Sequence, residues 1–156
     1  MNGRIPALLI LGAAVFAGVG VWYAQEYGFY DQLDPAGVTI TVMANGQAVP
    51  LQAGELEAID ASSSPIRWRG CFRVDQPLPE GAEPFANPTP LVGPNWFSCF
   101  DAGQIGADLQ SGVAKAYLSQ PEIRPDVDRV IAVYPDGRAY GWHQFNDKTP
   151  ERGVMD

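Results

Sequence analysis

Ile5 to Ala24 reads IPALLILGAAVFAGVGVWYA, twenty residues without a charge. Arg4 stands just before the run, and the first acids, Glu26, Asp31 and Asp34, come just after it. At about 1.5 Å per residue a helix of this length spans roughly 30 Å, the thickness of a bilayer core. The stretch therefore divides the chain into a membrane span and whatever follows it. Pro6 suits a first helical turn, where its missing N–H is not needed. Gly12, Gly18 and Gly20 are costly in a soluble helix but common in membrane helices, and Trp22, Tyr23, Tyr27 and Tyr30 sit where an aromatic belt is expected. Gly12 and Gly18 do not make a GxxxG pair, so self-association is not indicated.

Two readings of this run compete. One is an uncleaved anchor. The other is a signal peptide cut after Val15-Phe16-Ala17, which offers small residues at −3 and −1. Apolar residues continue for seven positions past that site, which favours the anchor. Either way the rest of the chain is exported. Arg4 and the terminal amine are the positive charges before the span, which predicts a cytoplasmic N-terminus and a periplasmic body in a Gram-negative host.

The remainder, roughly 130 residues, is one domain by length and is long enough to bury a core. The chain carries a formal charge of −8; beyond Arg4, nine basic residues face eighteen acidic ones. Such a surface disfavours nucleic acid and anionic lipid. Fourteen prolines and seventeen glycines predict a loop-rich fold.

Local patterns fill in the elements. Val38 to Met43 is β-branched and alternating, a strand. Asn45-Gly46 is a two-residue hairpin turn, and Gln47 to Gln52 returns as an edge strand marked by Pro50. Gly54 to Ser64 reads as a connector. Pro65 to Val74, PIRWRGCFRV, reads as a strand in which Cys71 shares the arginine parity. That requires either a bulge at Gly70 or a partly covered face. Gln76 to Pro94 holds six prolines and reads as an irregular loop. Asp101 is an N-cap with Gln104 three residues on, and Ile105, Leu109, Val113, Ala116 and Tyr117 mark one stripe of a helix ending near Ser119. Asp128 to Tyr134 is a strand, Pro135-Asp136-Gly137 a turn, and Arg138 to Asn146 the partner strand.

The expected fold class is α+β, with an N-terminal transmembrane helix and one small domain of antiparallel sheet and one main helix. The expected boundaries are an anchor over 1–25, a linker over 26–37, the exported domain over 38–146 and a polar tail over 147–156.

Cys71 and Cys99 are the two cysteines. In an oxidising compartment such a pair forms a disulfide, and closing roughly 29 residues contributes about 3 kcal/mol. The alternative joins both to His143, the single histidine, as a soft site for copper or zinc or as a redox centre. Arg67, Arg69 and Arg73 are the basic cluster, either paired with the domain's own acids or forming a stripe that docks an acidic partner. Ser62-Ser63-Ser64 lacks a G-x-S-x-G elbow. The chain has no P-loop, no G-x-G-x-x-G and no C-x-x-C-H, so no cofactor is expected.

Three blocks, IDASSSPIRWRGCF (59–72), NWFSCFDA (95–102) and DRVIAVYPDGRAYGWHQFN (128–146), resemble an uncharacterised family of small, single-span, membrane-anchored alphaproteobacterial proteins. Members are sometimes labelled histidine kinases; this chain has neither the nucleotide-binding glycines nor the length for that. The resemblance implies the host class, the anchor and the periplasmic side, and no catalytic residue. The resulting expectation is a non-enzymatic, membrane-tethered periplasmic domain, an accessory or assembly factor for an inner-membrane protein complex. A periplasmic metal-binding or redox factor is the alternative.

Overall fold

In the computed structural model, which describes residues 3–147, the apolar run is helix α1, Arg4–Tyr23, and it continues through a π-helical turn, Ala24–Gly28. The stretch Arg4–Gly28 has a mean hydropathy of 2.2 and is long and apolar enough to cross a membrane. No residue of α1 is buried by the rest of the chain. Its leucines, valines and Phe16 point outward on all sides, an arrangement stable in lipid and costly in water.

A six-stranded antiparallel sheet forms the domain. Its strands are β1 (Asp31–Gln32), β4 (Gly54–Asp60), β5 (Arg69–Arg73), β6 (Lys115–Arg124), β7 (Val127–Val133) and β8 (Arg138–Phe145), in the order β1-β4-β5-β8-β7-β6. A separate hairpin joins β2 (Thr41–Ala44) to β3 (Gln47–Pro50). Asn45 and Gly46 take φ of 52° and 77° in its turn, the left-handed pair that matches the twist of the flanking strands. Helix α2 is Ala102–Ser111.

Alternation along the strands builds a core on each face of the sheet. Ile59, Cys71, Val130, Ala132 and Trp142 point to one side, where Phe97, Phe100 and Ile105 of the α2 region cover them. Ala58, Phe72, Ile131 and Ala139 point to the other, under Ile40 and Val42 of the hairpin and the indole of Trp68. Both faces are thus apolar, and the fold is α+β as the patterns predict. Hairpin and sheet are laced by reciprocal bonds: Thr41 Oγ1 donates to the Ser119 carbonyl (2.8 Å), and Ser119 Oγ donates to the Thr41 carbonyl (2.7 Å).

Four readings need correction. The helix begins as expected, with Asp101 Oδ1 accepting from the Gln104 N–H at 3.0 Å. It stops at Ser111, because Gly112 turns left-handed at φ 78°. Ala116 and Tyr117 then lie on β6, and Val113 is exposed. Pro121 is tolerated in β6 because that strand is the sheet edge. Gly54–Asp60 is strand β4, not a connector; a register shift between Gly54 and Glu57 breaks its alternation. In Pro65 to Val74 only Arg69–Arg73 is strand. Gly70 carries no bulge. It pairs with Gly141, and a Cβ at either position would meet the Trp68 ring at 2.9 or 2.7 Å, so the two glycines make the bed on which that indole lies.

The segment read as a linker, 26–37, is tied into the sheet, since Asp31 and Gln32 pair with Asp60 and Ile59. The proline-rich stretch is irregular but pinned, bridging Ala44 to Ala82 and Pro84 to Tyr117. The polar tail after Asp147 lies outside the described residues.

Candidate functional site

The three arginines of the basic cluster go to three different places. Arg69 is 2% exposed. Its Nε donates to the Leu91 carbonyl (2.6 Å), Nη1 to those of Ile66 (2.8 Å) and Trp68 (2.7 Å), and Nη2 to that of Val92 (3.3 Å), with the guanidinium 5.7 Å from the Phe100 ring centre. Burial lowers its pKa to about 10, which leaves it charged at neutral pH. Arg67 lies outside the strand, 5.3 Å from the Tyr30 ring centre. Arg73 pairs with Asp75 at 3.1 Å. No docking stripe is assembled. The arginine parity of β5 faces the α2 side, and the 91–92 loop and Phe100 cover it.

Cys71 and Cys99 form a disulfide, with Cα atoms 6.3 Å apart. Their thiols are consumed, and the imidazole lies across the sheet from them. Cys71 pairs with Tyr140 and so shares its face; His143, three residues on, points to the opposite face. The expected metal set of Cys71, Cys99 and His143 is therefore divided by the sheet itself. Among the described residues no other group of histidine, cysteine and carboxylate side chains is placed to hold a metal.

The strongest constellation of side chains is one the patterns did not single out. A cleft of about 640 Å³ opens between β1, the 61–65 turn and the β6–β7–β8 edge, with Asp31, Asp60, Ser62, Arg124, Arg129 and His143 among its lining residues. Buried Trp68 lies behind two of its lining residues. The His143 ring stacks on that indole at 5.2 Å, and the Arg129 guanidinium lies over it at 4.1 Å. Arg129 Nε donates to His143 Nε2 at 3.0 Å. Since a guanidinium only donates, Nε2 must be the acceptor, so the ring proton sits on Nδ1 and is given to the Pro65 carbonyl at 2.8 Å. Asp60 Oδ1 accepts from the Ala61 N–H at 2.8 Å, and burial raises its pKa.

Burial pushes the His143 pKa down to about 4, and Arg129 opposes its protonation further. An unfolded histidine binds its proton near pH 6.5. The contribution is therefore full above that value, falls as pH drops through the window from about 6.5 to 4, and is then lost, for about 3 kcal/mol in total. Urea titrations from pH 7.5 to 4 on wild type and His143→Gln are expected to show a steeper acid loss in the wild type. Parallel curves would show that the imidazole is not held neutral.

Arg129 shares strand parity with Ile131, which is fully buried. A cation on the inward parity of an apolar strand was the available signal for this cleft. Its other walls come from segments far apart in sequence and had no local signature.

With this geometry in hand, comparison places the chain. A family model described as a family of unknown function, DUF6446, matches residues 38–152. The chain belongs to DUF6446. No curated protein matches it, and no solved structure does. The DUF6446 region holds strands β2 to β8, helix α2, the disulfide and the Arg129–His143–Trp68 stack. The membrane-length helix and β1, with Asp31, precede it.

The two parts meet in a built junction. The Glu26 carboxylate accepts from the Asn95 backbone N–H at 3.0 Å and from Asn95 Nδ2 at 3.3 Å, while Trp96 Nε1 donates to the Glu26 carbonyl. Tyr30 packs edge-to-face on Trp96 at 6.5 Å between ring centres, and Arg67 covers Tyr30 from the DUF6446 side. Phe29 and Tyr27 remain exposed beside it, at the level where interfacial aromatics are favoured.

Proposed function

We propose that this chain is a non-enzymatic, membrane-tethered accessory or assembly factor, whose DUF6446 domain stands on the periplasmic side of a bacterial inner membrane and docks on a protein complex there. The observation that carries this reading is the junction. A ligand-gathering domain needs only a loose tether. Here the exit of the helix is fastened to the domain by Glu26, Asn95, Trp96, Tyr30 and Arg67 and by the β1–β4 pairing, a junction that would keep the domain at a set angle to a membrane crossed by the helix. A set angle is what a neighbouring membrane protein requires in order to meet the same surface each time. The charge placement, Arg4 before the span and acids after it, supports the outward orientation. His143, the side chain best suited to proton transfer near neutral pH, has both ring nitrogens engaged and a pKa near 4, which supports a role other than catalysis.

The test is extraction of the tagged full chain in mild detergent, a native gel, and mass spectrometry of what migrates with it. The expected result is comigration with a larger membrane complex, lost in a Glu26→Ala, Trp96→Ala variant that still pellets with membranes. Migration alone, near its own mass plus detergent, overturns the proposal. So does full retention of the complex by the variant.

A further inference from the structure

Arg129 is immobilised by its own fold, yet it forms no close ion pair among the described residues. Its ring-like guanidinium is fixed flat on Trp68 and its Nε is spent on His143. Among the described residues the ion pairs within 4 Å are Arg73 with Asp75 and Arg138 with Asp136; Arg129 has none. Among the described residues its two terminal nitrogens have no hydrogen-bond acceptor, although the charge of Asp60 acts on the guanidinium. No described buried side-chain nitrogen lacks a partner, so these two keep some exposure, and Arg129 lines the cleft. A cation immobilised against an aromatic face in the wall of an open cleft is preorganised for an oxyanion.

We propose that this cleft binds a single carboxylate group, with the terminal nitrogens of Arg129 as its anchor. The charges around it choose the ligand. Arg124 and Arg129 line the cleft together with Asp31 and Asp60, two cations against two acids. A multiply charged anion would meet the repulsion of both carboxylates, whereas a monocarboxylate that also carries an amine lets Arg129 take its carboxylate and Asp31 or Asp60 its N–H donors. Ser62 and Ser64 supply hydroxyls at the rim. At about 640 Å³ the cleft falls within the range of small-ligand sites. The best-matched class is a small zwitterion, a free amino acid or the end of a short peptide.

Ligand-observed NMR on the full chain in detergent tests this with glycine, acetate and inorganic phosphate as probes. Saturable binding of glycine and acetate is expected, with glycine tighter than acetate and both tighter than phosphate. Arg129→Gln should weaken both carboxylates by at least about tenfold. No saturable binding of either at tens of millimolar overturns the proposal, as does undiminished binding by Arg129→Gln. Phosphate binding tighter than acetate overturns the carboxylate assignment. If Arg129→Gln fails to fold by near-UV circular dichroism, Arg129→Lys decides, since it keeps the charge but not the paired N–H groups: acetate binding weakened severalfold supports the site, and unchanged binding overturns it.

Discussion

Replacing Arg69 with methionine is expected to lower the stability of the domain by about 3 kcal/mol or more. The side chain gives hydrogen bonds to four carbonyls from two segments, Ile66 and Trp68 on one and Leu91 and Val92 on the other. Methionine fills much of the space and leaves those carbonyls without their donor inside the protein. The effect should spread, because the 66–68 turn carries Trp68, on which Arg129 and His143 of the cleft stack, and Arg67, which covers Tyr30 at the junction. Arg69→Lys keeps the charge but not the planar fork, so it should recover less than half of the loss. Urea denaturation of the full chain in detergent reads both variants. A loss below about 1 kcal/mol, the range of an exposed arginine, would show that the clamp is not holding the two segments.

The second large effect is at the disulfide. Cys71 sits in β5 and Cys99 in the aromatic segment before α2, 28 positions apart. The bond closes a loop that contains the whole proline-rich stretch. On the chain-entropy argument its removal costs about 3–4 kcal/mol, a large share of the 5–15 kcal/mol typical of a domain. Cys71→Ala with Cys99→Ala should therefore shift the denaturation midpoint strongly and expose the 76–94 segment to protease. Other ties remain, the bridges of Ala82 to Ala44 and Pro84 to Tyr117 and the bonds from Arg69 to the Leu91 and Val92 carbonyls, but none of them closes the loop covalently. A shift worth less than about 1 kcal/mol would mean that those contacts suffice.

What was legible in the sequence is what local chemistry decides. The uncharged run, the Asn45-Gly46 turn, the β7–β8 hairpin at Pro135-Asp136-Gly137 and the Asp101 cap each rest on a few adjacent residues, and each stands in the structure. The failures share a different cause. By spacing the helix stripe runs on through Ala116 and Tyr117, because spacing alone cannot see that Gly112 turns left-handed. Strand β4 was hidden by a bulge that breaks its alternation, and β1 by its two-residue length. For β5 the parity was right, including Cys71 on the arginine side. Which side would be covered depends on α2 and the 91–92 loop, twenty to forty residues away. The cleft is the extreme case, since β1, the 61–65 turn, β6, β7 and β8 all contribute to it. Only Arg129, charged on an inward parity, announced it.

The most direct test of a membrane-tethered domain on the oxidising side is the state of Cys71 and Cys99 in living cells. Acid-quenched cells would be treated with a mass-tagging thiol reagent, and carbonate-washed membranes run on a denaturing gel. The expected result is a membrane-bound species that takes no tag until it is reduced and then takes two. A doubly tagged species without reduction, or the protein in the soluble fraction, would contradict the account.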